Sequence, residues 1–442
     1  MSKIDPELLI LAENLVAYGR KKGADQVQVS IGEGREFSVD VREGNIEKLT
    51  DAGLKSLSLK VIKEDRVATA SSSDFSGDTL HRLVENAVSR AALSNPDEFA
   101  GLPDRDDVVV DADALDIFDP EILEIPADRK IAAARETEAV CLADKRVGKS
   151  FGASYGTYSG TSYLVNSNGF SGAFLRTSCY CGVYLQSGEG DNLFDEGWYD
   201  SARRLGDLMA PEAIGRKAVN RVTRLIGARK IETQNVPVVM EPRMTASLLG
   251  FLNTCVSGRN IYLKQSFLAN KLGETVGNSA VMVVDDGLIP GAAGTRPFDS
   301  EGVHARRTAV IENGVLRNYL LDTYAARKLG MKSTGNASGA QNFYLQAGNQ
   351  SPEEIIRSVD KGLLLTGTIG FGLVPTTGDI SRGAFGLWIE NGEPVYPVAE
   401  ITISGNLGTI LKEIDSIGND LEFKRSISGP TIKVREMTIG GI

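Results

Sequence analysis

The order of helical and strand-like segments is the feature that most restricts the fold of this chain. Apolar residues recur at helical spacing over 6–22, alternate as in strands over 26–71, and return to helical spacing from residue 78. A second helix–strands–helix series follows in segments 128–142, 150–200 and 211–226. A doubly wound parallel sheet would need regular alternation of strands and helices. We therefore predict an α+β fold, with N-terminal helix–antiparallel-strand–helix units followed by a β-rich C-terminal domain.

The division into domains follows from length and from a change of character near residue 231. The 442 residues exceed the roughly 250–300 at which a single core stops growing. We predict an N-terminal α+β domain, a middle α+β domain and a C-terminal β-rich domain, over residues 1–100, 101–230 and 231–442. Two local predictions are a turn at Gly32–Gly34, between strands, and a helix from Pro352 to Leu364.

Charge and hydropathy exclude some classes of function. The formal net charge of −10 would repel a phosphate backbone, so we expect no direct nucleic-acid binding. The short basic cluster Arg216, Lys217 and Arg221 has helical spacing and is interpreted as a solvated helix face. We find neither a signal-peptide pattern at the N-terminus nor about 18 consecutive uncharged apolar residues anywhere. These patterns predict no membrane association and a cytoplasmic location.

The residues that could support catalysis are few. A zinc hydrolase needs about three His, Cys or carboxylate ligands, and the only histidines, His81 and His304, lie far apart in the sequence. The four cysteines, including the pair Cys179 and Cys181, fit buried strand positions better than a metal site. The acidic residues near 285–301 suit turns better than a cation site. We therefore predict no catalytic residue and no metal ligand in this chain.

Several motifs in the C-terminal half resemble one protein family. They are Pro297–Val303, Ile311–Leu316, Tyr324–Gly330 with Ser333–Asn336, Thr377–Ala384, Ile389–Glu393 and Ile417–Glu422. Together they resemble the TldD/PmbA family, whose members were once called modulators of DNA gyrase. The resemblance covers essentially the whole chain and makes the C-terminal domain the metallopeptidase-type domain of the family.

The resemblance also implies how this chain differs from zinc-binding members. TldD-like proteins carry H-E-x-x-x-H on a helix after a strand, and a Cys near the C-terminus. Here the matching helix spans Arg243 to Gly250 without His or Glu, and Ser426 and Ser428 stand in the C-terminal region. The chain is therefore similar to the PmbA/TldE branch, the non-catalytic partner of the TldD metallopeptidase. We expect no cofactor in this chain, zinc in a TldD-type partner, and inactivity of this chain alone.

The resemblance implies a heteromeric peptidase that processes peptide-antibiotic leaders and degrades unfolded antitoxin peptides. Candidate contacts with the peptide or the partner are Asn336, Asp379, Ser381 and Arg382, although a structural role in turns is the stronger interpretation. A homodimer of the isolated chain is also expected, because a surface for a homologous partner can accept a copy of itself. Two alternatives stay open: an autonomous hydrolase with an unrecognised site, and a regulatory protein that binds DNA gyrase.

Overall fold

The computed structural model describes residues 4–105, 110–190 and 192–441, and it confirms the predicted α+β class. Part of the linking segment between the first two predicted domains, residues 106–109, lies outside the described residues, as do the terminal residues 1–3 and 442. Within the described part of the chain, no helix is long and apolar enough to cross a membrane.

Helices lie beside both halves of the chain. They are α1 Pro6–Lys21, α2 Gly77–Ala91, α3 Glu121–Glu124, α4 Ala127–Leu142, α5 Pro211–Thr223, α6 Pro242–Val256, α7 Gly258–Tyr262, α8 Thr323–Leu329, α9 Pro352–Arg357 and α10 Leu407–Glu413. The strands of the N-terminal half are long. They are β1 Gln26–Arg42, β2 Asn45–Lys63, β3 Arg66–Ser72, β4 Val147–Asn166, β5 Ser171–Glu189 and β6 Asn192–Ala202.

The C-terminal strands are shorter and more numerous. They are β7 Gln234–Met240, β8 Val283–Asp286, β9 Arg307–Glu312, β10 Val315–Leu316, β11 Phe343–Leu345, β12 Lys361–Ile369, β13 Leu373–Val374, β14 Asp379–Glu390, β15 Glu393–Asn406, β16 Ile414–Ile417, β17 Ile427–Ser428 and β18 Ile432–Gly440.

The six N-terminal strands form one antiparallel sheet in the order β3-β2-β1-β4-β5-β6. Strand β1 pairs with β4 from Gln28 opposite Asn166 to Val41 opposite Ala153, so the sheet runs without a break from the first predicted domain into the second. Alternate residues of β1 face helices α1 and α2 near its start and helix α4 near its end. The three-domain division stays a prediction.

The turn predicted at Gly32–Gly34 is wrong, because both glycines lie inside the continuous strand β1. The hairpin turn instead falls at Glu43 and Gly44, which both have positive φ. A side chain at Gly34 would place its Cβ 2.7 Å from the carbonyl oxygen of Ser159 on β4. Glycine at this position therefore permits a close approach of two strands, which sequence alone does not distinguish from a turn.

The C-terminal half contains a closed barrel and a second sheet. The barrel strands follow the order β12-β7-β18-β15-β14, and pairing of β12 with β14 closes the ring. The second sheet has the order β10-β9-β8-β11-β17. Helix α6 buries Leu248, Leu252 and Cys255 in the core that the barrel and the second sheet share. This packing fixes the start of α6 at the barrel rim.

The helix predicted from Pro352 to Leu364 is wrong in its second half. Helix α9 ends at Arg357, and β12 begins at Lys361. Leu363–Leu365 pair with β7 on one side, and the same strand pairs with β14 on the other. A short apolar run buried on both faces has no periodicity that separates strand from helix, so only the barrel decides between them.

Candidate functional site

A cleft of about 720 Å³ lies where the edge of the N-terminal sheet meets the C-terminal half. Strand β6, helix α5, the start of helix α6 and the segment 420–431 each contribute side chains to it. Apolar contacts come from Trp198, Met209, Ala246, Ile356 and Ile427. The walls therefore combine large apolar surfaces with charged groups, as ligand-binding clefts do.

Local geometry explains why charged residues gather in this cleft. On β6, Glu196, Trp198 and Asp200 alternate and face helix α5. On α5, Lys217 and Arg221 are four residues apart and share one face of the helix. Lys217 Nζ lies 3.8 Å from the centroid of the Trp198 ring, and the guanidinium carbon of Arg221 lies 5.6 Å from it.

An ion-pair network joins the sheet, helix α5 and the barrel beneath this cleft. Arg221 Nη2 donates to Glu196 Oε2 at 3.0 Å and to the carbonyl oxygen of Thr366 on β12 at 3.1 Å. Arg221 Nη1 donates to Glu241 Oε2 at 2.9 Å. Arg224 Nη1 reaches the other Glu241 oxygen at 2.6 Å, and Arg243 Nη1 reaches Glu196 Oε1 at 3.2 Å. These contacts hold the two halves of the chain together at the cleft.

The network keeps its carboxylates ionised. Burial disfavours the charge on Glu196, but Arg221 and Arg243 outweigh it and hold the pKa of Glu196 below its ordinary value. Burial likewise disfavours the charge on Glu241, whose pKa is also lowered because Arg224 and Arg221 donate to it. The same carboxylates raise the pKa of Arg221 despite its burial.

The basic cluster Arg216, Lys217 and Arg221 was predicted to form a solvated helix face. This prediction is wrong for Arg221, which is 5 % exposed. Arg216 and Lys217 are exposed, as predicted.

The two segments in which the resemblance places zinc ligands meet at this cleft. Helix α6 packs against the segment that carries Ser428, and a Cβ on Gly429 would lie 2.4 Å from the Thr245 side chain. The residues that meet there do not fit zinc. The Ser428 hydroxyl donates to the carbonyl oxygen of Arg425, and Arg243 pairs with Glu196. Hydroxyls and a guanidinium are poor substitutes for thiolate, imidazole and carboxylate ligands.

Other titratable residues are used structurally. Among the residues that the structure describes, no group of three His, Cys, Asp or Glu is placed to hold a metal ion. His81 stacks on Tyr18 with ring centroids 4.3 Å apart, and His304 lies beside Phe170. Cys179 and Cys181 are buried in β5, where burial raises the thiol pKa to about 12 and about 11, respectively.

The acidic residues weighed as a cation site instead hold loops. Asp299 accepts hydrogen bonds from the backbone N–H groups of Glu301, Val303 and Ala337. Glu301 accepts from the backbone N–H of Thr323 at 2.9 Å. Burial raises the pKa of Asp285 to about 6, although Asn336 and the backbone N–H of Gln341 donate to it. The turn interpretation holds for Asp299 and Glu301, which lie in the loop between β8 and β9, whereas Asp285 and Asp286 lie inside strand β8.

The four predicted contact residues fall into two places. Asn336 is buried and donates to Asp285 Oδ2 at 2.7 Å. Asp379, Ser381 and Arg382 lie together at the start of β14. Asp379 accepts from Thr377 and Asn406, and Arg382 donates to the carbonyl oxygen of Gly370 and to Ser247 on α6. A peptide-contacting or partner-contacting role for these residues stays a prediction.

Sequence reasoning missed most of the cleft residues. Trp198, Glu196 and Glu241 carried no motif, and Arg425 was not singled out at all. One available signal was the presence of basic residues at helical spacing on α5 together with isolated acidic residues within β6 and directly before α6. Residues 25 positions apart, such as Arg221 and Glu196, come together only through the tertiary fold.

Comparison with known proteins identifies the family. Residues 233–441 match the PmbA/TldA metallopeptidase C-terminal domain, residues 120–226 the central domain and residues 27–91 domain 1. Metalloprotease PmbA of Escherichia coli O157:H7 is 33 % identical over 448 residues, covering 100 % of this chain and 98 % of that protein. The chain belongs to the PmbA/TldD family. The resemblance derived from the C-terminal motifs is thereby confirmed.

Solved structures of PmbA/TldD family proteins share the whole architecture. A candidate modulator of DNA gyrase from Bacteroides thetaiotaomicron superposes with a TM-score of 0.92 at 29 % identity, covering 100 % of both chains. TldE from Thermococcus kodakarensis superposes with a TM-score of 0.87 at 23 % identity, covering 97 % of this chain and 99 % of that one. The similarity to the Thermococcus kodakarensis structure shows that the two chains share a fold.

Proposed function

We propose that this PmbA/TldD family member is the TldE-type subunit of a two-subunit metallopeptidase. In this proposal a TldD-type partner carries the zinc and cleaves the peptide bond. This chain binds no metal, shapes the channel for unfolded peptides and docks the partner. Peptide-antibiotic precursors and antitoxin peptides are the proposed substrates, and the cytoplasm is the proposed location.

One observation carries this proposal. At the start of α6, where the zinc-binding branch has its first ligand positions, Arg243 forms an ion pair with the buried carboxylate of Glu196. A fixed guanidinium beside a site repels a divalent cation. The neighbouring donors are the buried hydroxyls of Thr245 and Ser428. These contacts support the proposal that the chain keeps the fold of a metallopeptidase domain without its metal-binding function.

The cleft supports a role in holding peptide. Its volume of about 720 Å³ suits a short extended segment, and apolar residues lie beside hydrogen-bonding groups. Strand β6 is an edge strand of the N-terminal sheet and contributes Trp198 to Ser201 to the cleft. An edge strand offers unpaired backbone groups to an extended peptide.

Zinc content and peptidase activity test this proposal. The purified chain, a TldD-type partner and their equimolar mixture are compared by metal analysis and by cleavage of an unfolded peptide. We expect substoichiometric zinc in this chain, and cleavage that requires the mixture. The matched control is a mixture in which the Glu of the partner's H-E-x-x-x-H is changed to Gln, which should abolish cleavage. Stoichiometric zinc with turnover by this chain alone would establish an autonomous hydrolase instead.

The predicted contact residues have their own test. A photo-crosslinker on the peptide substrate maps the residues that it approaches in the complex. Crosslinks at Asp379, Ser381 or Arg382 would support the contact hypothesis. Their absence from 334–339 and 377–384 would leave these segments with the structural role that their hydrogen bonds already describe.

A further inference from the structure

The cleft contains more unpaired cationic groups than unpaired carboxylates. Among the residues that the structure describes, Lys217 and Arg425 each contact an aromatic ring and form no ion pair. The guanidinium carbon of Arg425 lies 4.9 Å from the Tyr199 centroid. Arg243 uses one nitrogen, Nη1, for Glu196. Burial and the nearby Arg221 lower the pKa of Arg243, and Arg425 adds to this repulsion.

Most carboxylates of the cleft already have hydrogen-bond or ion-pair partners. Asp200 accepts from Lys424 Nζ and from the backbone N–H of Met209. Asp420 accepts from the backbone N–H and the hydroxyl of Thr431. Glu241 is held by two arginines, whereas exposed Glu422 forms no ion pair among the described residues and favours the charge on nearby Lys217. Within the described residues, the lining therefore offers one unpaired carboxylate, Glu422, beside the two unpaired cations Lys217 and Arg425.

Two buried donors in the cleft also have no partner. Trp198 Nε1 and Arg221 Nε are buried and make no hydrogen bond to the described residues. Arg221 is more than nine-tenths buried and lines the cleft. A buried donor without a partner has lost its hydrogen bonds to water without replacement, so a ligand oxygen that reached such a donor would be favoured.

We infer that this cleft binds a carboxylate of the peptide substrate, held between Arg243, Arg425 and Lys217 beside the rings of Trp198 and Tyr199. The inference rests on the proposed function, because it takes the ligand to be a peptide. The carboxylate belongs either to the peptide C-terminus or to an Asp or Glu side chain. Hydrogen bonds to a carboxylate that are made by charged donors are about twice as strong as neutral ones. The site thereby positions one end or one acidic residue of an unfolded chain.

Binding to the full-length chain without any partner tests this inference. The probes are three versions of one short unstructured peptide: with a free C-terminal carboxylate, with an amidated C-terminus, and amidated with one internal Glu. Fluorescence of Trp198 reports binding, since the other tryptophan, Trp388, is 2 % exposed in the barrel core. We expect the amidated neutral peptide to bind at least about tenfold more weakly than a carboxylate-bearing one. The two carboxylate versions show which source the site accepts.

Matched variants distinguish binding at this cleft from a general effect of positive charge on the protein surface. Lys217→Met and Arg425→Met should each weaken binding about tenfold, and added NaCl should weaken it further. Arg216→Met is the control, because Arg216 precedes Lys217 on α5 but pairs with exposed Glu212 away from the cleft. Equal binding of all three peptides, binding by none of them, or no larger effect of Lys217→Met and Arg425→Met than of Arg216→Met would each overturn the inference. Partner-dependent cleavage is measured separately, so its loss would refute the proposed function and not this site.

Discussion

Replacing Arg221 by Met should destabilise the protein more than any other single loss of charge in the cleft. The side chain is 5 % exposed and donates to Glu196, Glu241 and the carbonyl oxygen of Thr366. Breaking a buried ion pair by removing one partner costs about 3–5 kcal/mol, because a charge is left buried without compensation. Each carboxylate keeps one other arginine here. We therefore expect a decrease in the free energy of unfolding near the lower end, about 3 kcal/mol.

Urea denaturation measures this loss. Trp198 lies beside the network and Trp388 lies in the barrel, so fluorescence of single-tryptophan versions follows the two halves separately. Methionine preserves the apolar stem of Arg221 in volume, and Arg216→Met on the same helix is the exposed control. If Arg221→Met shifted the transition no more than Arg216→Met does, the network would not stabilise the junction and our reasoning would be refuted.

The same prediction has a defined dependence on pH. The folded-state pKa values of Glu196 and Glu241 are depressed below the ordinary 4.5, so their ionisation contributes stability above that pH. This contribution is lost as pH falls through the folded-state pKa values, because a protonated carboxyl group carries no charge and no longer forms an ion pair with Arg221. The difference in unfolding free energy between the native chain and Arg221→Met should therefore shrink below about pH 4.5. A difference that stayed constant from pH 7 to well below pH 4.5 would contradict the assignment.

Two further predictions concern the packed interior. The four cysteines are buried and burial raises their thiol pKa, to about 11 for Cys181 and about 12 for the others, so iodoacetamide at pH 8 should label them only after denaturation. Rapid labelling of Cys179 or Cys181 in the native chain would show that β5 opens. Leu252→Ala on the fully buried face of α6 should lower the free energy of unfolding by about 2–5 kcal/mol, whereas Leu263→Ala, at a residue 43 % exposed, should change it little. Similar effects of the two substitutions in a urea titration would argue against the packing of α6.

Most of the fold class was predictable because it depends on local patterns. Successive residues show apolar alternation over β1–β6 and helical spacing of apolar residues in α1, α2, α4 and α5. The errors occurred where a local signal has two meanings. Gly34 permits strand contact as well as a turn, and Leu363–Leu365 satisfy a buried strand as well as a helix. In both cases the neighbouring strand decides, and a neighbouring strand is not visible in a short window of sequence.

The amino-acid sequence alone determined the family and most of the order of helices and strands, and it is the basis of the prediction that zinc ligands are absent, since each of these depends on residue identity and spacing. Only the tertiary structure decided that helix α6 and Ser428 meet in one cleft, and that Arg221 lies buried rather than solvated. Glu196, Arg221 and Glu241 come from three different elements, and their charges become favourable in a buried place only when all three are assembled. Folding brings these residues together, and their spacing in the sequence does not predict this contact.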